Sequence, residues 1–92
     1  MKILVINSGS SSIKYQLLDM ENEKLLCKGL VERIGIPGSV LKHKKEGEKF
    51  PVERPIPNHD EGLKLVLETL TDGKMGVIDS LDEIQAVGHR VV

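Results

Sequence analysis

The sequence predicts an α/β domain: a mixed sheet that starts with N-terminal antiparallel hairpins and carries helices on its face. Three observations point there. Two pairs of strand-like segments are each joined by a tight turn, at Ser8-Gly9-Ser10-Ser11 and at Glu46-Gly47. An amphipathic helical stretch follows from Asn58. Beyond it, Ala86-Val87-Gly88-His89-Arg90-Val91-Val92 reads as a strand again. Hairpins first, then helix and strand, build a sheet with a helix packed on it.

The elements follow in order. Lys2 to Asn7 holds the run Ile3-Leu4-Val5-Ile6, the pattern of a central strand buried on both faces. After the turn, Ile13, Tyr15 and Leu17 alternate with Lys14 and Gln16, the period of a half-buried strand. Asn22 marks the next turn and Lys24 to Glu32 a third strand, with Gly35 and Pro37-Gly38 as punctuation. Val40 to Lys45 and Lys49 to Arg54 form the second hairpin. Its charges (Lys42, Lys44, Lys45, Glu46, Glu48, Lys49) read as a solvated face, with a phosphate-binding basic patch as the sharper alternative.

Asn58 and Glu61 have the spacing of a capping box, which satisfies N–H groups left free in a first helical turn. Leu63, Val66, Leu67 and Leu70 then make one apolar stripe, and Asp72-Gly73 supplies the stop. A short helical turn over Ser80 to Ile84 precedes the last strand. One helix cannot cover both faces of a sheet of about five strands. The chain also stops inside an apolar strand, whereas termini of whole domains usually lie at the surface. Residues 1–92 therefore read as part of one domain, the front of something longer.

Composition narrows the function. Thirteen Lys and Arg against 14 Asp and Glu give a net charge of −1 over 92 residues, without the basic excess of a nucleic-acid binder. Tyr15 and Phe50 are the sole aromatic residues, too few for a base-stacking platform. The longest early apolar run is too short for a membrane span or a signal-peptide core, so a cytoplasmic protein without a membrane partner is expected. Cys27, the one cysteine, reads as a small buried apolar residue. His43 falls on the charged hairpin and His59 in the first helical turn. With His89 they match no zinc spacing, and no histidine is assigned to catalysis.

The chemistry concentrates in Asn7-Ser8-Gly9-Ser10-Ser11-Ser12-Ile13-Lys14. A glycine among four hydroxyls lets backbone approach a ligand and offers N–H and O–H donors together, as phosphate oxygens need. Lys14 adds a positive charge. A P-loop would need a second glycine and a following helix, and a dinucleotide fingerprint would need three glycines. Neither fits. A phosphate-gripping hairpin and an ordinary serine-rich turn both remain open. Arg90, between Val87 and Val91-Val92, is either a solvent-reaching strand residue or the holder of a partly buried partner.

The segment Val5-Ile6-Asn7-Ser8-Gly9-Ser10-Ser11-Ser12-Ile13-Lys14-Tyr15 resembles the N-terminal signature of the acetate kinase family. Arg33-Ile34-Gly35 and Gly88-His89-Arg90-Val91-Val92 resemble further segments of that family in the same order. The resemblance spans the whole chain and covers about the first quarter of such an enzyme. It implies the first part of an actin-like ATPase (ribonuclease H-like) domain, in a superfamily with sugar kinases, actin and heat-shock chaperones. It also implies reversible transfer of the ATP γ-phosphoryl group to acetate, giving acetyl phosphate and ADP, with Mg²⁺, by an enzyme that is a homodimer when complete.

Carried over residue by residue, Asn7 would sit near the metal and the transferred phosphoryl group. Gly9, Ser10 and Ser12 would line the phosphate hairpin, and Lys14 would contact ATP phosphates. Arg90 would hold the acetate carboxylate, with Val92 beside the methyl group. The family's acid–base and transition-state residues come later in its sequence, so the 92 residues alone are expected to be inactive. The alternatives are a propionate or butyrate kinase relative, or a stand-alone phosphate- or nucleotide-binding module without catalysis.

Overall fold

The computed structural model describes residues 1–91, and side chains as far as His89. The elements are β1 (Lys2–Ser8), β2 (Ile13–Asp19), β3 (Lys24–Glu32), β4 (Val40–Lys45), β5 (Glu48–Glu53), α1 (His59–Leu70), a 3-10 turn (Leu81–Glu83) and β6 (Ile84–Val91). The strands form one sheet in the order β5-β4-β3-β2-β1-β6. Successive strands from β1 to β5 pair antiparallel, and β6 returns parallel to β1. The expected mixed α/β architecture is therefore present, with α1 lying on one face.

The hairpins form for local reasons. Glu46 and Gly47 both take positive φ (50° and 81°), the backbone that a two-residue turn needs to follow the twist of its strands. In the turn after β2 the left-handed residue is Glu23 (φ 51°) rather than Asn22.

The inner face carries the core. Leu4, Ile6, Ile13, Tyr15, Leu17, Cys27, Val31 and Leu41 lie against Ile34, Ile56 and the helix residues Leu65, Val66 and Leu70. Burial pushes the Cys27 thiol up to about 11, so it stays protonated and packs as an apolar group. β1 is buried on one face and not on both: Leu4 and Ile6 are inside, while Ile3 and Val5 are half-buried on the open face. A four-residue apolar run cannot distinguish these cases, because the difference lies in what covers the second face.

Helix α1 corrects three expectations. Its buried residues are Gly62, Leu65, Val66, Thr69 and Leu70, so Leu63 and Leu67 flank the contact stripe and do not centre it. Gly62 permits the close approach, since a Cβ there would come within 3.1 Å of Ile13 Cδ1. Thr69 tolerates burial because its hydroxyl donates to Leu65 O at 2.7 Å. Asn58 Oδ1 caps the helix by accepting from Glu61 N (2.9 Å), but the Glu61 carboxylate faces Lys64. The reciprocal capping box is instead formed by Ser80 and Glu83. The stop comes from Asp72, whose Oδ1 accepts from Lys74 N and Met75 N, and Gly73 is not left-handed.

His43 lies on the charged hairpin yet points inward and is 1 % exposed. The Tyr15 hydroxyl is 2.6 Å from His43 Nδ1, and His43 Nε2 is 2.9 Å from the Met75 carbonyl. A carbonyl can only accept, so Nε2 carries the hydrogen and Nδ1 receives the tyrosine O–H. Gly29, paired with both Tyr15 and His43, makes room: a Cβ there would collide with the Tyr15 ring. On the other side of the hairpin, Lys28, Lys44 and Lys49 stand in register across three strands, and Lys42 pairs with Glu32 at 2.8 Å. These lysines are exposed, as a solvated face requires. No helix among the described residues is long and apolar enough to cross a membrane.

Burial lowers the His43 pKa below its ordinary 6.5, because an imidazolium would be stranded in the core. The unfolded chain then binds a proton that the folded one refuses, so stability falls as pH drops from about 7.5 to 5.5. Asp72 and Glu83, whose carboxyls are held low by hydrogen bonds, respond only in the more acidic carboxylate range. Urea unfolding across pH 5.5–7.5 should show this slope in the wild type and a much flatter one in His43→Gln.

Candidate functional site

Strand register builds the site. Asn7, near the end of β1, pairs with Lys14 on β2 and with Arg90 on β6. Positions 7, 14 and 90 thus stand in one row across three adjacent strands. Lys14 is exposed, and among the described residues no carboxylate pairs with it. Asn7 Oδ1 is fully buried and has no hydrogen-bond partner. An orphaned buried oxygen costs roughly 1–3 kcal/mol, so its retention marks a position shaped for something other than stability.

The hairpin between β1 and β2 sits directly beyond this row. Gly9 N donates to Ser12 O at 2.9 Å, and a Cβ on Gly9 would meet Ser12 Oγ at 2.8 Å. Glycine therefore keeps the turn narrow. Two other elements hold it from outside. Ile34 N, just after β3, donates to Ser11 O at 2.9 Å. His59 Nε2, at the start of α1, donates to Gly9 O at 2.7 Å. Ser8 Oγ also lies 3.4 Å from His89 Nε2 on β6. Ser10 and Ser11 remain exposed at the tip.

Of the residues singled out in the sequence, Asn7, Gly9, Ser10, Ser12 and Lys14 are therefore brought together, and the Arg90 backbone joins them. Val92 lies outside the described residues. Sequence reasoning missed Ile34 and His59 as supports of the hairpin. Ile34 lay in a quoted segment, but nothing in the spacing of His59 announces a contact fifty positions upstream. The site can do two things chemically: present N–H and O–H donors with a lysine to an anion, and offer one neutral amide oxygen to a hard cation. Among the described residues no group of three or more His, Cys, Asp or Glu could hold a metal ion. A cation at Asn7 would thus need its remaining ligands from outside these side chains.

Comparison with known proteins gives the chain its relatives. The model of the Acetokinase family matches residues 2–92. The acetate kinase of Thermosipho melanesiensis is 73% identical over the whole chain, which spans 23% of that relative. The crystal structure of Porphyromonas gingivalis acetate kinase superposes with a TM-score of 0.92 at 47% identity, covering 96% of this chain and 22% of that one. A propionate kinase from Francisella tularensis superposes at 0.82 with 31% identity, covering 99% of this chain and 22% of that one. The fold is thus that of a part of those enzymes, whose architecture is actin-like ATPase.

Because Asn7 Oδ1 has nothing to lose, Asn7→Val should keep or raise stability, by up to about 1 kcal/mol, despite lying in the site. Urea midpoints of the two proteins check this, and a clear loss of stability would contradict the orphaned state.

Proposed function

The chain belongs to the Acetokinase family, and we propose that it is the phosphate-gripping front of an enzyme that moves the γ-phosphoryl group of ATP to acetate and back. The observation that carries this reading is the row Lys14–Asn7–Arg90 with its unpartnered amide oxygen, set against a donor-rich hairpin. On this reading residues 1–92 are the N-terminal part of the first domain, and the chain spans about a quarter of the curated relatives it matches.

In the reaction an acetate oxygen forms a bond to the γ-phosphorus while the bond to the β–γ bridging oxygen breaks, leaving ADP. Charge spreads over the equatorial phosphoryl oxygens, so catalysis is mainly positioning and electrostatic stabilisation. Lys14 and the donors of Gly9, Ser10 and Ser12 suit the nucleotide phosphates. Asn7 holds a neutral oxygen at the end of a rigid strand, where it fits one position of a Mg²⁺ shell. When bound, Mg²⁺ supplies charge neutralisation for the phosphates. Arg90 suits the acetate carboxylate, because a guanidinium can donate two parallel hydrogen bonds and an ammonium cannot. Val92 would border the methyl group.

The propionate kinase likeness supports a second reading, in which a longer acid is the acceptor. The test uses the full-length enzyme that contains this chain, with acyl phosphate trapped by hydroxylamine. Acetate should give the highest kcat/KM, falling through propionate to butyrate, and the 92 residues alone should give no signal. Highest kcat/KM with propionate selects the second reading. No acyl phosphate from any acid leaves a binding module without catalysis. Loss of one bidentate bond in Arg90→Lys should raise the KM for acetate roughly 10–100-fold, and unchanged acetate kinetics would remove Arg90 from that role.

A further inference from the structure

The tip of the β1–β2 hairpin is closed by half of the usual bond pair. Gly9 N donates to Ser12 O, but among the described residues Ser12 N does not donate back to Gly9 O. That carbonyl is taken by His59 Nε2 at 2.7 Å. His59 can do this because it is the first residue of α1, and α1 is pressed onto β2 through Gly62 and Ile13. Ser11 O is likewise claimed from outside, by Ile34 N. The carbonyls of the tip are thus drawn toward the body of the domain. Among the described residues no acceptor is taken by the N–H groups of Ser10, Ser11 or Ser12.

We infer that His59 is a positioning residue for phosphate binding: by drawing Gly9 O toward α1 it keeps the turn from closing on itself and leaves Ser12 N–H free for a phosphate oxygen. This rests on the reading of the hairpin as a nucleotide-phosphate grip. A serine-rich turn left to itself satisfies its own backbone, since a vacant carbonyl one bond away competes with any ligand for the amide. Imidazole provides a donor of fixed direction from a short, stiff side chain. The Nε2–H of the ring supplies the donor that the Gly9 carbonyl accepts.

The experiment compares His59→Phe, which fills the space without a donor, with His59→Gln, which restores one. In the full-length enzyme His59→Phe should raise the KM for ATP about tenfold, the loss expected for one neutral hydrogen bond, and leave the KM for acetate within about twofold. His59→Gln should recover most of the ATP loss. Amide hydrogen exchange gives an activity-free readout: Ser12 N–H should become protected in His59→Phe as it turns to Gly9 O. Wild-type KM for ATP in His59→Phe, or equal defects for both substrates in both variants, overturns the inference. If wild-type enzyme makes no acetyl phosphate, the kinase reading fails. Ser12 exchange then decides the brace by itself: protection in His59→Phe upholds it and unchanged exchange sinks it.

Discussion

Everything at the site depends on the register of β1 between its two neighbours. Asn7 faces Lys14 on one side and Arg90 on the other only while Leu4 and Ile6 stay opposite Leu17 and Tyr15 on the buried face. A slip of one residue would turn the core residues outward and Asn7 inward, so the hydrophobic interior enforces the placement of a polar group that contributes nothing to it. The start of β1 is fastened as well. Lys2 N donates to Gln85 Oε1 at 2.7 Å, and Lys2 Nζ pairs with Glu83 at 3.2 Å, tying β1 to the entry of β6. The ladder shifts between Lys2 and Ile3 and then runs evenly to Ser8. The bulge is absorbed at the far end, and the site end stays regular.

The helix adds a second constraint to the same site. α1 buries Gly62, Leu65, Val66, Thr69 and Leu70 on the sheet, and the close approach at Gly62 carries His59 to the hairpin tip. Core packing and ligand geometry are thereby joined through one glycine: any side chain at position 62 would push on Ile13, the first residue of β2 after the tip. The polar groups divide by purpose. Tyr15, His43 and Met75 O satisfy one another inside the core, while Asn7 Oδ1 is left unmatched at the edge where a ligand would arrive. Folding completes the first set and holds the second in reserve.

Local features were legible in the sequence because their causes are local. Alternation marked β2, positive-φ chemistry marked the Glu46-Gly47 turn, and Asn58 marked the start of α1. Asn7 opposite Lys14 was also within reach, since a hairpin centred between Ser10 and Ser11 pairs those two by counting outward. The inward face of His43 and the shifted helix stripe were not legible, because each is decided by an element distant in sequence: Tyr15 and Gly29 for His43, and Ile13 for Gly62. The capping box at Ser80 and Glu83 is local, and its spacing stands in the sequence. Arg90 beside Asn7 is the extreme case, because a parallel pairing across the whole chain leaves no trace in either segment alone.

That row also explains why position 7 is an amide. Lys28, Lys44 and Lys49 show that this sheet tolerates adjacent cations where stems can spread and heads stay in water, although like charges directly opposite oppose pairing. A lysine at position 7 would add such repulsion against Lys14, at a half-buried place where its head could not spread as freely. An aspartate would do the reverse, pairing with Lys14 and repelling the anions that the lysine would otherwise attract. Asparagine adds no charge beside Lys14. On the proposed reading it would leave a neutral oxygen for a hard cation next to an ammonium for negatively charged groups, a pairing that suits phosphoryl transfer.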